Sequence, residues 1–567
     1  MTLIVDFDYH SQVTDVSGGL AADGPQKGSR VRRLAGGLLV ALGLWLLPAA
    51  QASADDVCPR PPPQSEVLPP PDLYSSNGAL NVAFNYNTTV DFAGRTLFCF
   101  QTPDGTQSPT LHVNPGDTLT VQLTNTVPPI PGGPAETVSA GSKQCGNPTM
   151  TLSSVNMHFH GTNTAPTCHS DEVIRTLVNS GETFTYTLDI PKDEPPGLYW
   201  YHPHVHGIAS ASVTGGASGV IVVEGIENLQ PAVAGLPQRI LVIRDQPVLN
   251  APGGGGPGPG WDVSLNYVPI PYPAYPVAII KMQSGTREFW RVANVSANTI
   301  VDLQLTYDGK PQPLQIVALD GVPTGSQDGT RQGTIVTQKD ILMPPAGRAE
   351  FIVDGPSDKV AVARLVTNAI DGGPAGDSNP ARPLAQIVET DKPVKLPRMP
   401  SRVTQPGAQR FEGLADAAVT AHRKLFFSET PTGHGQKPDE GVNFFITVQG
   451  QQRELYDPNN PPAIVTRQGA VEEWTIENRT PEVHDFHMHQ IHFLVQAING
   501  VEIPKKKQQF YDTFQVPYWT GVGPFSSIKV KMDFRGAVVG DFVYHCHILE
   551  HEDGGMMAII RVKPPKG

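Results

Sequence analysis

Four short words in this chain carry the spacing of metal ligands: His158-Phe-His160-Gly, His202-Pro-His204, His484-Asp-Phe-His487-Met-His489, and His545-Cys546-His547 followed by His551 and Met556. With 17 histidines in 567 residues, chance placement gives roughly half a His-x-His pair, and the chain has five. One such pair would be two surface residues on one face of a strand; five, gathered near the two ends of the chain, require a metal. Imidazole suits zinc, copper, iron and nickel alike, so the sulfur decides between them. Two imidazoles, one thiolate and a weak axial thioether make a blue-copper electron-transfer centre. Cys546, His551 and Met556, with His484 from a distant segment, would supply that set. Zinc favours closed sets built from Cys-x-x-Cys pairs, of which there are none.

Successive side chains on a strand point to opposite faces, so Cys546 faces one way and His545 and His547 the other. A metal on the sulfur is then linked through a few backbone bonds to metals on the opposite face, which is an electron relay. The same alternation turns 158 with 160, 202 with 204, and 487 with 489 to one side each. With 545 and 547 that makes eight imidazoles, enough for three coppers.

These words resemble those of the multicopper oxidases, in particular bacterial laccase-like members with three cupredoxin domains, and the resemblance covers nearly all of the chain after the first fifty or so residues. Residue by residue it implies four copper ions. His484, Cys546, His551 and Met556 would bind the type 1 copper, where the reducing substrate is oxidised. His158 and His487 would hold the type 2 copper, with His160, His202 and His547 on one type 3 ion and His204, His489 and His545 on the other. Dioxygen would bind at that trinuclear cluster. Reducing dioxygen to water needs protons, and a buried acid near cationic copper is a suitable donor. Asp171 and Glu552 stand where similar enzymes carry such acids, a solvated surface carboxylate being the alternative for each. Asp485 stands where many members have proline and Gln490 where many have glycine, which leaves the loop shape near the type 1 site open. Met556 as axial ligand implies a modest reduction potential and easily oxidised substrates.

The elements that must position these residues are strands. The chain exceeds what one core organises, and 56 Gly with 56 Pro favour turns and short strands over helices. A repeat supports an all-β reading: residues 116–125, 285–294 and 469–478 each open on glycine and close on asparagine, with alternating apolar residues between. Each copy reads as a turn, a half-buried strand and a second turn. Gly197 to His202 and Gly540 to His545 repeat a second pattern in the outer copies. The expected architecture is three consecutive cupredoxin-like Greek-key β-sandwich domains at 75–228, 229–395 and 421–567, with a Pro-rich segment at 55–74 and a linker at 396–420. No histidine occurs from Gly207 to Ala421, so the middle domain is expected to be scaffold or substrate wall. The run from Pro252 to Gly260 reads as a mobile surface loop. Ligands drawn from both ends of the chain require the outer domains to pack face to face around the cluster. His206 and His492 exceed the ligand count and read as partners that fix imidazole tautomers or as ordinary neighbours. His10, His112, His169, His422 and His434 read as structural or solvated.

Arg30, Arg32 and Arg33 precede an apolar run from Leu34 to Leu47, and Ala52-Ser53-Ala54 offers a cleavage site. Residues 1–54 therefore read as a signal peptide with an N-terminal extension, by the general or the twin-arginine route, with the true start codon further in. The run is too short to anchor comfortably in a bilayer, so an exported, periplasmic or extracellular protein without stable membrane insertion is expected. Cys58, Cys99, Cys145 and Cys168 allow three pairings. Cys145 with Cys168, which would enclose His158 and His160, and Cys58 with Cys99 are favoured over four free thiols. A net charge of -13 without a basic stripe argues against nucleic acid.

These expectations converge on a secreted, copper-dependent oxidoreductase that takes single electrons from phenolic or aromatic amine reductants, passes them through Cys546 and reduces dioxygen to water. The runner-up is a metal oxidase acting on cuprous, ferrous or manganous ions, although only 10 Met occur and no methionine-rich insert. A non-catalytic cupredoxin scaffold would have no use for twelve ligands, nor an electron carrier for more than four.

Overall fold

The computed structural model describes residues 57–130, 136–137, 145–249, 258–328, 333–403, 410–431 and 441–565. The signal, His10, His434, most of the Gly/Pro run and residues 404–409 of the linker lie outside the described residues. Of the described residues 47% are strand and 6% helix, arranged as three sandwiches in chain order.

The first sandwich faces a five-stranded sheet, in spatial order Asp72–Tyr74, Thr110–Val113, Gly219–Val223, Gly197–His202 and His158–His160, against a four-stranded sheet of Thr183–Asp189, Thr118–Asn125, Ala79–Val90 and Thr96–Gln101. The second faces an eight-stranded sheet built around Gln238–Pro247, Arg287–Asn294 and Arg348–Asp354 against a six-stranded sheet built around Arg382–Thr390, Ala363–Asn368 and Val301–Tyr307. In the third, a seven-stranded sheet around Ala421–Pro431, Val471–Asn478 and Ser526–Asp533 faces a five-stranded sheet of Ile464–Arg467, Met557–Lys563, Gly540–Cys546, His484–Met488 and Thr513–Val516. Each encloses its own apolar core, with Val121 and Tyr201 in the first, Trp290 and Leu303 in the second, and Trp474 and Phe486 in the third.

The Gly-to-Asn repeat is the spine of all three. Gly116, Gly285 and Gly469 have φ of 93, 61 and 92°, the left-handed turn that favours glycine. The strand that follows pairs parallel with an earlier strand and antiparallel with a later one in every copy. Asn125, Asn294 and Asn478 are fully buried, and each donates its amide to the carbonyls of returning loops. The two outer copies alternate buried and half-buried residues as expected. The middle copy, Arg287–Asn294, is buried on both faces after its first residue. Its outer face is covered, because Ala293 and Val295 pack with Leu198, Trp200, Val220 and Val222 of the first sandwich.

Both disulfides form, Cys58 with Cys99 and Cys145 with Cys168. The Pro-rich segment is bound into the fold from its start: Cys58 is bridged, Glu66 pairs with Ile279 of the second sandwich, and Asp72–Tyr74 is already an edge strand. Within the linker, Phe411 and Leu414 join an apolar cluster with Val322 of the second sandwich and Val471, Leu494 and Phe510 of the third. Among the described residues no helix is long and apolar enough to cross a membrane.

The amide of Asn294 satisfies the carbonyls of Thr299, Met343 and Pro344 at 2.9–3.0 Å. Buried carbonyls left without donors cost about 1–3 kcal/mol each. Asn294→Ala is therefore expected to lower the thermal midpoint by several degrees in calorimetry, and an unchanged midpoint would refute this role.

Candidate functional site

The pairing of strands brings the histidine words together. In the first sandwich His158–His160 pairs antiparallel with Gly197–His202, placing His202 opposite His158. In the third, His484–Met488 pairs with Gly540–Cys546, placing His487 opposite His545 and Phe486 opposite Cys546. The two ladders meet face to face. His158 stacks on His489 with ring centroids 3.8 Å apart, and His160 stacks on His487 at 4.1 Å. Trp200 stacks on His202 at 4.0 Å and closes the group toward the second sandwich. His158, His160, His202, His204, His487, His489, His545 and His547 are all buried.

Most of these rings have one nitrogen turned outward to a partner and one turned inward. The outward contacts are His158 Nδ1 to Asp171, His160 Nε2 to Asp512, His202 Nδ1 to the Pro203 carbonyl, His487 Nδ1 to the Asp512 carbonyl and His545 Nδ1 to the Cys546 carbonyl. The inward nitrogens of His158, His160, His202 and His487 have no partner, nor has either nitrogen of His547. Nε2 of His204, His489 and His545 form a triangle with edges of 3.1–3.2 Å. A neutral imidazole has one N–H and one lone pair, and three such nitrogens cannot all be satisfied by one another. A cation among them satisfies every lone pair, so these residues fit a metal cluster. Burial first, and neighbouring imidazoles second, hold His158, His160, His487 and His489 well below the ordinary histidine range. They are kept in the neutral form that binds metal.

On the opposite face of the Gly540–Cys546 strand lies the sulfur. Cys546 Sγ is 3.6 Å from His484 Nδ1 and 3.7 Å from His551 Nδ1, and those two nitrogens are 3.0 Å apart. A point equidistant from the three lies about 2.0 Å from each, within the range of metal–nitrogen bonds. Met556 is fully buried in the same apolar cluster as Cys546, and its carbonyl accepts from the Cys546 N–H. His551, 8% exposed, is the most open of the ten imidazoles, and Phe444 stacks on it at 4.3 Å.

Two multicopper oxidase family models match the chain, one over residues 148–228 and the other over residues 433–566. Both matched segments, which carry the histidine words, are thus similar to multicopper oxidases. It is 23% identical over 406 residues to "Multicopper oxidase mco" of Staphylococcus haemolyticus, covering 68% of this chain and 72% of that one. It is 26% identical over 295 residues to a laccase of Bacillus subtilis, covering 49% of this chain and 51% of that one. Among solved structures, "Multicopper oxidase from Campylobacter jejuni: a metallo-oxidase" superposes with a TM-score of 0.62 at 21% identity, covering 88% of this chain and 96% of that one. The three sandwiches are thus cupredoxin domains, and the multicopper oxidases are copper oxidoreductases.

Both expected acids are buried at the histidine cluster. Asp171 Oδ1 accepts from His158 Nδ1 at 2.9 Å and from the Phe159 N–H at 3.0 Å, and burial pushes its carboxyl up to about 8. Glu552, fully buried, lies 3.2 Å from His545 Nδ1 and 3.6 Å from His204 Nδ1, and burial raises it well above the carboxylate range. Gln490 takes up a φ of 56°, the conformation that favours glycine, and donates to Asp171 Oδ2 at 2.6 Å. Asp485 sits in the strand beside the sulfur, and its N–H, which a proline would lack, donates to Cys546 Sγ at 3.3 Å. His206 turns to Tyr456, whereas His492 donates to the Asp320 carbonyl and lies 3.5 Å from Asp512. His112 is held by Asp72 and Glu224, His169 bonds the Thr185 carbonyl, and His422 lies beside Glu473 at the surface.

The histidine words give no sign of Asp512, Arg348 and Asp320, which meet at the cluster from the third and second domains. The middle domain reaches the cluster without supplying a histidine: Arg348 binds Asp512, the acid against His160. Glu194 is a further buried acid, accepting from the Asn163 N–H and side-chain amide just past His160. Burial pushes its carboxyl up to about 7. A raised folded-state value means that the folded chain keeps a proton the unfolded chain has lost, so stability falls as pH rises from about 4.5 to 7. Glu194→Gln is expected to raise the thermal midpoint at about pH 8 and leave it unchanged near pH 4; a pH-independent difference would refute the assignment.

Proposed function

We propose that this chain is a laccase-like multicopper oxidase, coupling one-electron oxidation of phenolic or aromatic amine reductants to four-electron reduction of dioxygen to water. The observation that carries this reading is the pleat at residues 545–547, with the His484–Cys546–His551 donor triangle on one face and eight inward-facing imidazoles on the other. In this reading His484, Cys546, His551 and Met556 hold the type 1 ion, and the eight imidazoles hold the other three. Copper supplies one-electron acceptance at the first site and dioxygen reduction at the second. The chain supplies the connection: Cys546 is covalently continuous with both flanking histidines, and its carbonyl accepts from His545 Nδ1 at 2.9 Å. Asp171 accepts from the outer nitrogen of His158, and Glu552 lies beside those of His204 and His545, so both carboxyls stand where protons could be supplied to the cluster. The signal pattern and two disulfides support export, disulfides being stable in oxidising compartments.

Likeness to the Bacillus subtilis laccase supports an aromatic reductant, as does the surface beside His484. Thr480 Oγ1 lies 2.9 Å from His484 Nε2, and the Thr480 carbonyl accepts from the Trp519 N–H. Trp519, in edge contact with Phe525, thus presents an aromatic surface two hydrogen bonds from the ligand. The second reading, a metal-ion oxidase, is favoured by Glu429, 3.3 Å from His484 Nε2, and Glu482, 3.6 Å from His551 Nε2, and by likeness to the Campylobacter jejuni metallo-oxidase.

Metal analysis of the purified protein with oxygen uptake on a phenol panel and on cuprous, ferrous and manganous ions separates the two. Four coppers and phenol-driven uptake are expected; uptake on metal ions alone would replace the first reading by the second. Cys546→Ser should abolish both blue colour and oxygen uptake, and persistent uptake would end the relay reading. Asp171→Asn should slow turnover while the blue colour persists, and unchanged turnover would remove Asp171 from proton delivery.

A further inference from the structure

We propose that Asp512, gripped by Arg348 of the middle domain, is a positioning residue that sets which ring nitrogen of His160 and of His487 faces the cluster. The proposal rests on reading the eight imidazoles as copper ligands. Asp512 is fully buried, and its carboxylate can only accept hydrogen bonds. Its Oδ1 lies 3.0 Å from His160 Nε2, so that nitrogen carries the proton and Nδ1, which has no partner, presents its lone pair inward. The Asp512 carbonyl lies 2.8 Å from His487 Nδ1, so Nδ1 again carries the proton and the unpartnered Nε2 is left for metal. Thr513 agrees with both assignments: its Oγ1 can accept from His487 Nδ1 at 3.0 Å while donating to Asp512 Oδ1 at 3.1 Å.

Arg348 is built for this one task. Its five N–H groups reach Asp512 Oδ1 and Oδ2 and the carbonyls of Leu198, Ala346 and Asp320, so none is left over in a site with no water access. Asp320 Oδ2 in turn accepts from the backbone N–H groups of Asp512 and Thr513. The glycine of the His158-Phe-His160-Gly word has the same explanation: a Cβ on Gly161 would stand 2.6 Å from Arg348 Nη2 and 2.7 Å from Asp512 Oδ2. A residue from each domain therefore meets at Asp512, with His160 of the first and Arg348 of the second at its carboxylate and His487 of the third at its backbone carbonyl.

The test uses copper-loaded holoenzyme carrying Asp512→Asn or Arg348→Lys. Blue absorption reports the Cys546 site, electron paramagnetic resonance reports the type 2 copper, and retention of copper against a chelator is read by elemental analysis. Removing a partner that orients a metal-bound imidazole weakens metal binding by about 10- to 100-fold. Both variants should stay blue, lose copper to chelator that much more readily and show a changed type 2 spectrum; Arg348→Lys should lose less, keeping charge without the fork. Blue variants with wild-type retention and spectrum would overturn the proposal, as would failure of both to yield any blue protein, since the pair would then be a folding clamp. A wild-type protein without copper beyond the blue site would instead defeat the ligand reading itself.

Discussion

Eight imidazoles buried in one interface constrain everything around them. Seven of their ring nitrogens, in His158, His160, His202, His487, His489 and both in His547, lack a hydrogen-bond partner. A buried polar group left without a partner costs about 1–3 kcal/mol, so these lone pairs suit a bound cation. The arrangement persists only if the surrounding fold is rigid enough to prevent its collapse and if a cation offsets the cost when bound. Rigidity comes from both sides. Cys145–Cys168 encloses the first histidine word, and Val173 and Ile174 of the first domain pack on Val543, Met557 and Ile559 of the third.

The domains are tied at the same place by hydrogen bonds. Asp553, just past Glu552, accepts from the N–H groups of Gly207 and Ser210, which follow the second histidine word. Every described helix of the outer domains near the site is short, and the candidate ligands lie on or just past the ends of paired strands, apart from His551 in the short helix Leu549–Asp553 and Met556 just before the last strand. One covalent pleat thereby separates the sulfur face from the imidazole face, and no rearrangement of the fold is needed to connect them.

What could be read in the sequence follows from how local each signal is. The pairs 158/160, 202/204, 487/489 and 545/547 need only the alternation of a strand, and the glycine-to-asparagine repeat needs only a turn and a pleat. The repeat survives in the structure, and all four pairs converge, although only His158 and His160 share a strand: His204, His489 and His547 lie just past the ends of theirs. The middle repeat, Arg287–Asn294, departs from alternation because its second face is covered by another domain, and burial against a distant surface leaves no local period. Asp512 is invisible for the same reason: its partners His160 and Arg348 stand 352 and 164 residues away. Only the register between domains puts them together. The Pro-rich start is likewise held by distant partners, Cys99 and Ile279, that composition does not reveal.

The two departures in the third word show how this chain adapts a shared site. Holding Gln490 in the left-handed region costs about 1–2 kcal/mol relative to glycine, and the hydrogen bond to Asp171 offsets part of that by tying the third domain to the acid of the first. Asp485 acts on the sulfur. Its carboxyl is fully buried, and burial pushes it up to about 8. What reaches the sulfur is the backbone N–H, and a hydrogen bond donated to a copper-bound thiolate withdraws electron density and favours the reduced ion. In the proposed type 1 centre that bond opposes the lowering expected from a thioether axial ligand. The potential of the site is then set jointly by Met556 and by a residue whose side chain does not touch the metal.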